Sequence, residues 1–140
     1  MAVGNYNPGE TSLIVGGTII TGFADGTFIA VEHLDEGTKL VKGADDEGVF
    51  VTPSDSSGKI TCTLMMTSDS NRILGALKIS GAQVKTVVED SLGYGTFAQD
   101  CRIAQHANKE YAAKDPSNRV WVILCPKLVD TYPTTFFPAT

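Results

Sequence analysis

Three cysteines, two histidines and two short acidic runs are the side chains here with the most reactive potential. Cys62, Cys101 and Cys125 would need partners at a fixed short spacing to act as a metal site, and no Cys-x-x-Cys pair occurs. Each sits inside an apolar strand pattern, where a cysteine acts as a small buried hydrophobe. An odd count without close pairing is unlike a secreted disulfide framework. His33 and His106 lie far apart in sequence, and no His-Glu-x-x-His pair exists. A lone histidine at a strand end reads as a polar surface residue. Asp35-Glu36 and Asp45-Asp46-Glu47 lack the alternating oxygen ligands, glycine and distal glutamate of a calcium loop. They read as solvated turns, or as charged contacts and repulsive surface.

Catalytic motifs are absent in the same way. There is no Gly-x-Ser-x-Gly elbow and no Gly-x-x-x-x-Gly-Lys-Ser/Thr phosphate loop. Gly93-Tyr94-Gly95 lacks a third glycine and precedes a strand rather than a helix, so it reads as a loop. A Ser/His/Asp triad is a spatial arrangement, and nothing in the order of residues singles one out. The expectation is a chain without catalytic, cofactor-binding or metal residues, which is not an enzyme.

The bulk properties fit a globular chain. Its 140 residues suit one domain, 42% are apolar and only 19% are charged. Low charge density leaves neutral surface that partners can cover. A net charge of −5 lacks the basic footprint that grips nucleic acid and would repel another polyanion. Met1-Ala2-Val3-Gly4-Asn5-Tyr6 shows no secretory signal, and no run approaches the ~18 apolar residues that span a bilayer. The expectation is a chain made in a cytoplasm that does not insert in a membrane by itself.

The elements that must position these side chains centre on residues 58–81. Ile60, Cys62, Leu64 and Met66 alternate with Lys59, Thr61 and Thr63, the mark of a half-buried strand. Thr67-Ser68-Asp69-Ser70 offers helix N-caps, Ile73, Leu74 and Leu77 follow at helical spacing, and Gly81 ends the helix. Before this stretch, an extended arm (about 1–11) leads to a hairpin across Gly16-Gly17. Residues 28–34 form the next strand, and 38–42 are expected to pair back on it. Gly-flanked turns surround the strand-like Val49-Phe50-Val51-Thr52, which fits either the core or an arm reaching a neighbouring subunit.

Strands follow at 84–89 and 96–103, the latter with Phe97, Cys101 and Ile103 on one face and Thr96, Ala98, Asp100 and Arg102 on the other. Residues 105–118 are polar, with room for a short irregular helix. Arg119-Val120-Trp121-Val122-Ile123-Leu124-Cys125 is apolar on both faces and is expected to be central or covered on both sides. The Pro-rich tail (about 126–140) is not expected at a sheet centre. Roughly nine strands and one helix predict a mainly β chain: an antiparallel barrel or sandwich with one flanking helix, a single domain over 1–140.

Specific words in the sequence add to this. Gly16-Gly17-Thr18-Ile19-Ile20-Thr21-Gly22-Phe23-Ala24-Asp25-Gly26-Thr27 resembles the N-terminal signature of tail tube proteins of contractile-tailed bacteriophages. Val41-Lys42-Gly43, Gly58-Lys59-Ile60-Thr61, Thr67-Ser68 with Asn71, Asn108-Lys109-Glu110-Tyr111 and Arg119-Val120-Trp121 follow in the same order. The resemblance covers about Tyr6 to Asp130, and the chain departs from it over 132–140.

The resemblance implies a barrel-like fold with one helix, in six-fold rings stacked as a hollow tube inside a contractile sheath. It implies sheath, tape measure and baseplate or terminator proteins as partners, and DNA that passes through without specific binding. On that reading the segment about 43–58 is the candidate ring-to-ring contact, with Asp45, Asp46, Glu47, Phe50, Val51 and Asp55. Glu32, Thr61, Thr63 and Asp100 are the candidate lumen wall. A tube component of a secretion or injection machine is the near alternative. A monomeric β-barrel that binds a ligand in an apolar pocket is the distant one.

Overall fold

The computed structural model describes residues 6–34, 37–45, 47–52, 56–114 and 116–132. A 3-10 turn over Pro8–Glu10 leads into β1 (Ser12–Val15) and β2 (Thr18–Ile19). Gly16 and Gly17 turn between them at φ +60° and +83°, the pair of positive angles that a tight hairpin of matching twist requires. Then come β3 (Ile29–His33), β4 (Lys39–Lys42), β5 (Gly48–Val51) and β6 (Gly58–Leu64). The helix α1 spans Ser70–Ser80, followed by β7 (Val84–Glu89), β8 (Gly95–Ile103), β9 (Arg119–Cys125) and β10 (Leu128–Thr131).

Eight strands form one antiparallel sheet in the order β2-β1-β7-β8-β9-β6-β3, with β10 beside β8. The ends β2 and β3 do not pair, so the sheet folds into a sandwich rather than a closed barrel. Leu13, Val15, Ile20, Ile60, Cys62, Leu64, Trp121 and Ile123 fill its interior together with Leu74 of α1. Each such side chain stabilises the fold by about 1.5–3 kcal/mol when fully buried. Strand β6 shows the expected alternation: Ile60, Cys62 and Leu64 are buried, while Lys59, Thr61 and Thr63 are not.

The start of α1 is tied to the loop after β2. Ser70 Oγ accepts from the Thr21 N–H at 2.9 Å, and Ser68 Oγ donates to the Thr21 carbonyl. Ser68 also accepts from the Ser70 N–H, while Asp69 at the cap position makes no side-chain cap bond. At the other end Gly81 takes the left-handed conformation (φ +67°) and closes the helix. Arg102 donates twice to the Gly81 carbonyl, at 2.6 and 3.1 Å, which places a cation at the helix C-terminus.

Five expectations meet the structure here, and the first, second and fifth are corrected. First, β4 pairs with β5 and not with β3; the connections on its two sides are equally short, and pairing with β5 sets Leu40 beside Phe50 and Val41 beside Val49, apolar cross-strand pairs that stabilise a hairpin. Second, the face assignment in β8 reverses part-way. The register runs Val84↔Cys101 and then Thr86↔Ala98, so one extra residue bulges from β8, and Asp100 there has φ +58°. Ala98 is therefore buried on the same side as Cys101 and Ile103. Third, β9 is central but covered on one face only, since Val120 and Leu124 are 48% and 46% exposed. Fourth, the tail's first residues form β10, which pairs along β8, and Pro126 falls in the break before it. Fifth, the described residues of 105–118 form no helix. That segment is held by Ser117 donating to the Glu110 carbonyl and by Arg119 lying over the Tyr111 ring.

Candidate assembly surfaces

The most exposed apolar surface belongs to the β4–β5 hairpin, whose strand residues are exposed throughout. Its pairs are Lys39↔Val51, Leu40↔Phe50, Val41↔Val49 and Lys42↔Gly48. Side chains alternate across a hairpin, so Leu40 and Phe50 share one face and Val41, Val49 and Val51 the other. Phe50 is 74% exposed and Val49 63%. Both faces are apolar and neither packs on the sandwich. An isolated two-stranded hairpin is marginal in water, so a second surface is expected to cover it.

Of the residues expected at a ring-to-ring contact, Phe50 and Val51 lie on β5, and Asp45 and Glu47 are exposed in the turn that joins the two strands. Asp46 and Asp55 lie outside the described residues. Leu40, Val41 and Val49 were missed; the signal available was the Leu-Val and Val-Phe-Val runs facing each other across Gly43 and Gly48.

A second surface is the outward face of β3, β6 and β9. Glu32 pairs with Lys59, Ala30 with Thr61, Thr61 with Val122 and Thr63 with Val120. Glu32, Thr61 and Thr63, three of the expected lumen residues, thus share one face. Asp100 stands apart, exposed at the bulge of β8. Lys59 Nζ lies 3.6 Å from Glu32 Oε2, an exposed pair worth about 0–1 kcal/mol. The face is therefore balanced in charge and carries threonine, valine and leucine. It has no cluster of cations to hold a phosphate backbone. Lys59 falls here as the alternation of β6 predicts, whereas Val120 and Leu124 are additions to the face, because an apolar run in β9 reads as coverage on both sides.

A cleft of about 340 Å³ lies between the edge of β3 and β10. His33 Nε2 and Asp130 Oδ2 are 2.7 Å apart there, and Thr96 Oγ1 donates to Asp130 Oδ1 at 2.8 Å. The hydroxyl bonds the carboxylate and not the imidazole, so the geometry straps β3 to β10 and β8 rather than activating a nucleophile. Among the described residues, no three His, Cys, Asp or Glu side chains are grouped to hold a metal ion.

No protein-family model matches the chain, and no curated protein does. Solved structures do. A chain of the extracellular contractile injection system PVC, from its sheath/tube terminator in the extended state, is similar over 94% of this chain and 100% of that chain, at 8% identity and TM-score 0.71. A chain of the virion of a native gene transfer agent is similar over 91% of this chain and 100% of that one, at 12% identity and TM-score 0.66. The PVC sheath-tube complex in the extended state gives 10% identity and TM-score 0.61 over 91% of each chain. The likeness is one of fold: the sandwich with its single helix has the contractile tail-tube-like fold that the sequence words implied.

Proposed function

We propose that this chain is a self-assembling structural subunit, a tube or tube-terminator component of a contractile phage tail, and not an enzyme. Copies close into six-fold rings, and the rings stack as a conduit through which DNA leaves the particle. The single observation that carries this reading is the β4–β5 hairpin, apolar on both faces and exposed among the described residues. A strand edge left open at β3 adds a second adhesive feature, since unpaired backbone groups invite another chain. Self-completion by identical copies removes both hazards, and a head-to-tail stack continues until a terminator stops it.

In this reading the segment about 43–58, with Asp45, Glu47, Phe50 and Val51, makes the ring-to-ring contact. The face with Glu32, Thr61 and Thr63 lines the lumen, with Asp100 contributing separately from the bulge of β8, and neutral and acidic side chains there let a polyanion slide. The partners are further copies, a sheath protein, a tape measure protein and baseplate or terminator proteins. Assembly takes place in the host bacterial cytoplasm, and the product resides in the virion tail.

Negative-stain microscopy of the purified chain at high concentration tests this. Rings or tubes are expected, and a strictly monomeric species with intact termini overturns the reading. The likeness to the PVC chains favours a second reading, a tube component of an injection system. Neighbouring genes for a capsid separate the two, since only a virion needs one.

A further inference from the structure

The seam between β8 and the strands beside it contains a gap. Arg102↔Leu124 and Ile103↔Ile123 pair β8 with β9, and Leu128↔Ala98 resumes the same line with β10. Between these rungs, Gln99 and Asp100 face Pro126 and Lys127, and no ladder pair forms. Asp100 is turned out by its positive φ, and Pro126 has no N–H to give.

Continuing the β8–β9 register by one residue places Cys101 opposite Cys125, the first rung beside the gap. Their Sγ atoms are 3.3 Å apart, and both side chains are buried. The Ala104 N–H donates to the Val122 carbonyl at 2.9 Å, which marks that pair as hydrogen-bonded. Alternation then makes 103/123 and 101/125 the non-hydrogen-bonded positions, where Cα atoms sit about 4.5 Å apart and side chains come closest. That spacing lies within the range of about 4.4–6.8 Å that a disulfide spans. A pit of about 370 Å³, lined in part by Gln99, Asp100, Pro126 and Lys127, opens over the gap next to the two cysteines, neither of which lines it.

We propose that Cys101 and Cys125 are a redox pair that closes to a disulfide on meeting a peroxide, stapling β8 to β9 where the backbone ladder is interrupted. The Cys101 thiolate attacks one peroxide oxygen and the O–O bond breaks. This leaves a sulfenic acid on Cys101 and releases water once the departing oxygen is protonated. The Cys125 sulfur then attacks the Cys101 sulfur. The S–S bond forms, the S–O bond breaks, and hydroxide leaves as water with the Cys125 proton. Two thiols lose two electrons in all, and hydrogen peroxide accepts them as two waters.

The roles follow from the surroundings. Hydrogen bonding from the Cys125 thiol draws Cys101 down to about 7 against the opposing effect of burial, while Cys125 itself is raised by the same contact and keeps its proton. Burial pushes Cys62 up to about 12, out of the reaction. The Cys101 thiolate population grows as pH rises through its folded value, so closure is about ten times faster at pH 8 than at pH 6. The pairing belongs to the single sandwich and does not depend on the tube reading.

The test uses the full-length reduced chain, treated with a small excess of hydrogen peroxide. Free thiols are counted after unfolding in an alkylating agent, and the bridge is mapped by mass spectrometry. One free thiol at Cys62 is expected, with peptides joined through Cys101 and Cys125. A rise in Tm of about 10 °C, reversed by a dithiol reductant, should accompany the bridge. In Cys125→Ser, which keeps a hydrogen-bond donor beside Cys101 but cannot close the bridge, dimedone should label a sulfenic acid at Cys101. Three surviving thiols, a bridge through Cys62, or dimedone label elsewhere overturns the proposal. The bridge map of the unmutated chain decides the matter even if the variant fails to fold.

Discussion

The indole N–H of Trp121 donates to the Asn71 side-chain oxygen at 2.9 Å, and the Asn71 amide nitrogen donates in turn to the Met65 carbonyl at 3.0 Å. One asparagine thus joins the central strand β9, the first turn of α1 and the exit of β6. Asn71→Leu keeps the branching of the side chain but removes both bonds and leaves a nearly buried indole N–H without a partner. A loss of about 1–3 kcal/mol is expected, read from the urea midpoint. Trp121 is the chain's sole tryptophan, so its fluorescence follows the change directly.

Gly22 and Gly26 separate strain from crowding. Both have positive φ, +78° and +89°. A Cβ at Gly22 would lie 2.5 Å from Ser68 Oγ and 3.3 Å from Ser68 Cα, whereas nothing lies within 4 Å of one at Gly26. Gly26→Ala is expected to cost about 1 kcal/mol from backbone strain. Gly22→Ala should cost at least twice that and loosen the α1 start. Equal urea midpoints for the two variants would contradict this.

Thr86 Oγ1 is buried with no partner in hydrogen-bond geometry, although it stands close enough to the Cys101 sulfur to favour its thiolate. A buried hydroxyl in that position is a cost to the fold. Thr86→Val keeps the shape and removes the orphan group. It is expected to be neutral or to stabilise by up to about 1 kcal/mol, seen as a raised Tm.

Phe50 touches no core of its own chain. Phe50→Ser, alone or with Val49→Ser, should leave the stability of the isolated subunit within about 0.5 kcal/mol. The same change should abolish stacking. Deleting residues 44–57 should give the same result, with rings retained. Unimpaired tubes from either variant, measured by light scattering and microscopy, would remove the hairpin from the contact.

Much of the architecture was legible from short-range physics. Gly16-Gly17 could only turn, residues 59–64 could only alternate, and 70–81 carried caps, spacing and a terminal glycine for a helix. Strand pairing was not legible in the same way. The residues 38–42 had two plausible partners at equal loop length, and the choice of β5 rests on which cross-strand side chains meet, which periodicity within one strand does not show. The candidate lumen residues Glu32, Thr61 and Thr63 came together because their alternation is regular. Asp100 did not join them, because a bulge has no period.

What the sequence alone determined, then, is the kind of element at each place and the side chains each presents, since turn chemistry and periodicity act within a few residues. Tertiary structure alone decided that the register of β8 shifts by one at Asp100, that Cys101 meets Cys125, that β9 keeps one face bare, and that a greasy hairpin stands clear of the core. Those outcomes depend on contacts between residues far apart in the chain, where several pairings compete and the whole sandwich selects one.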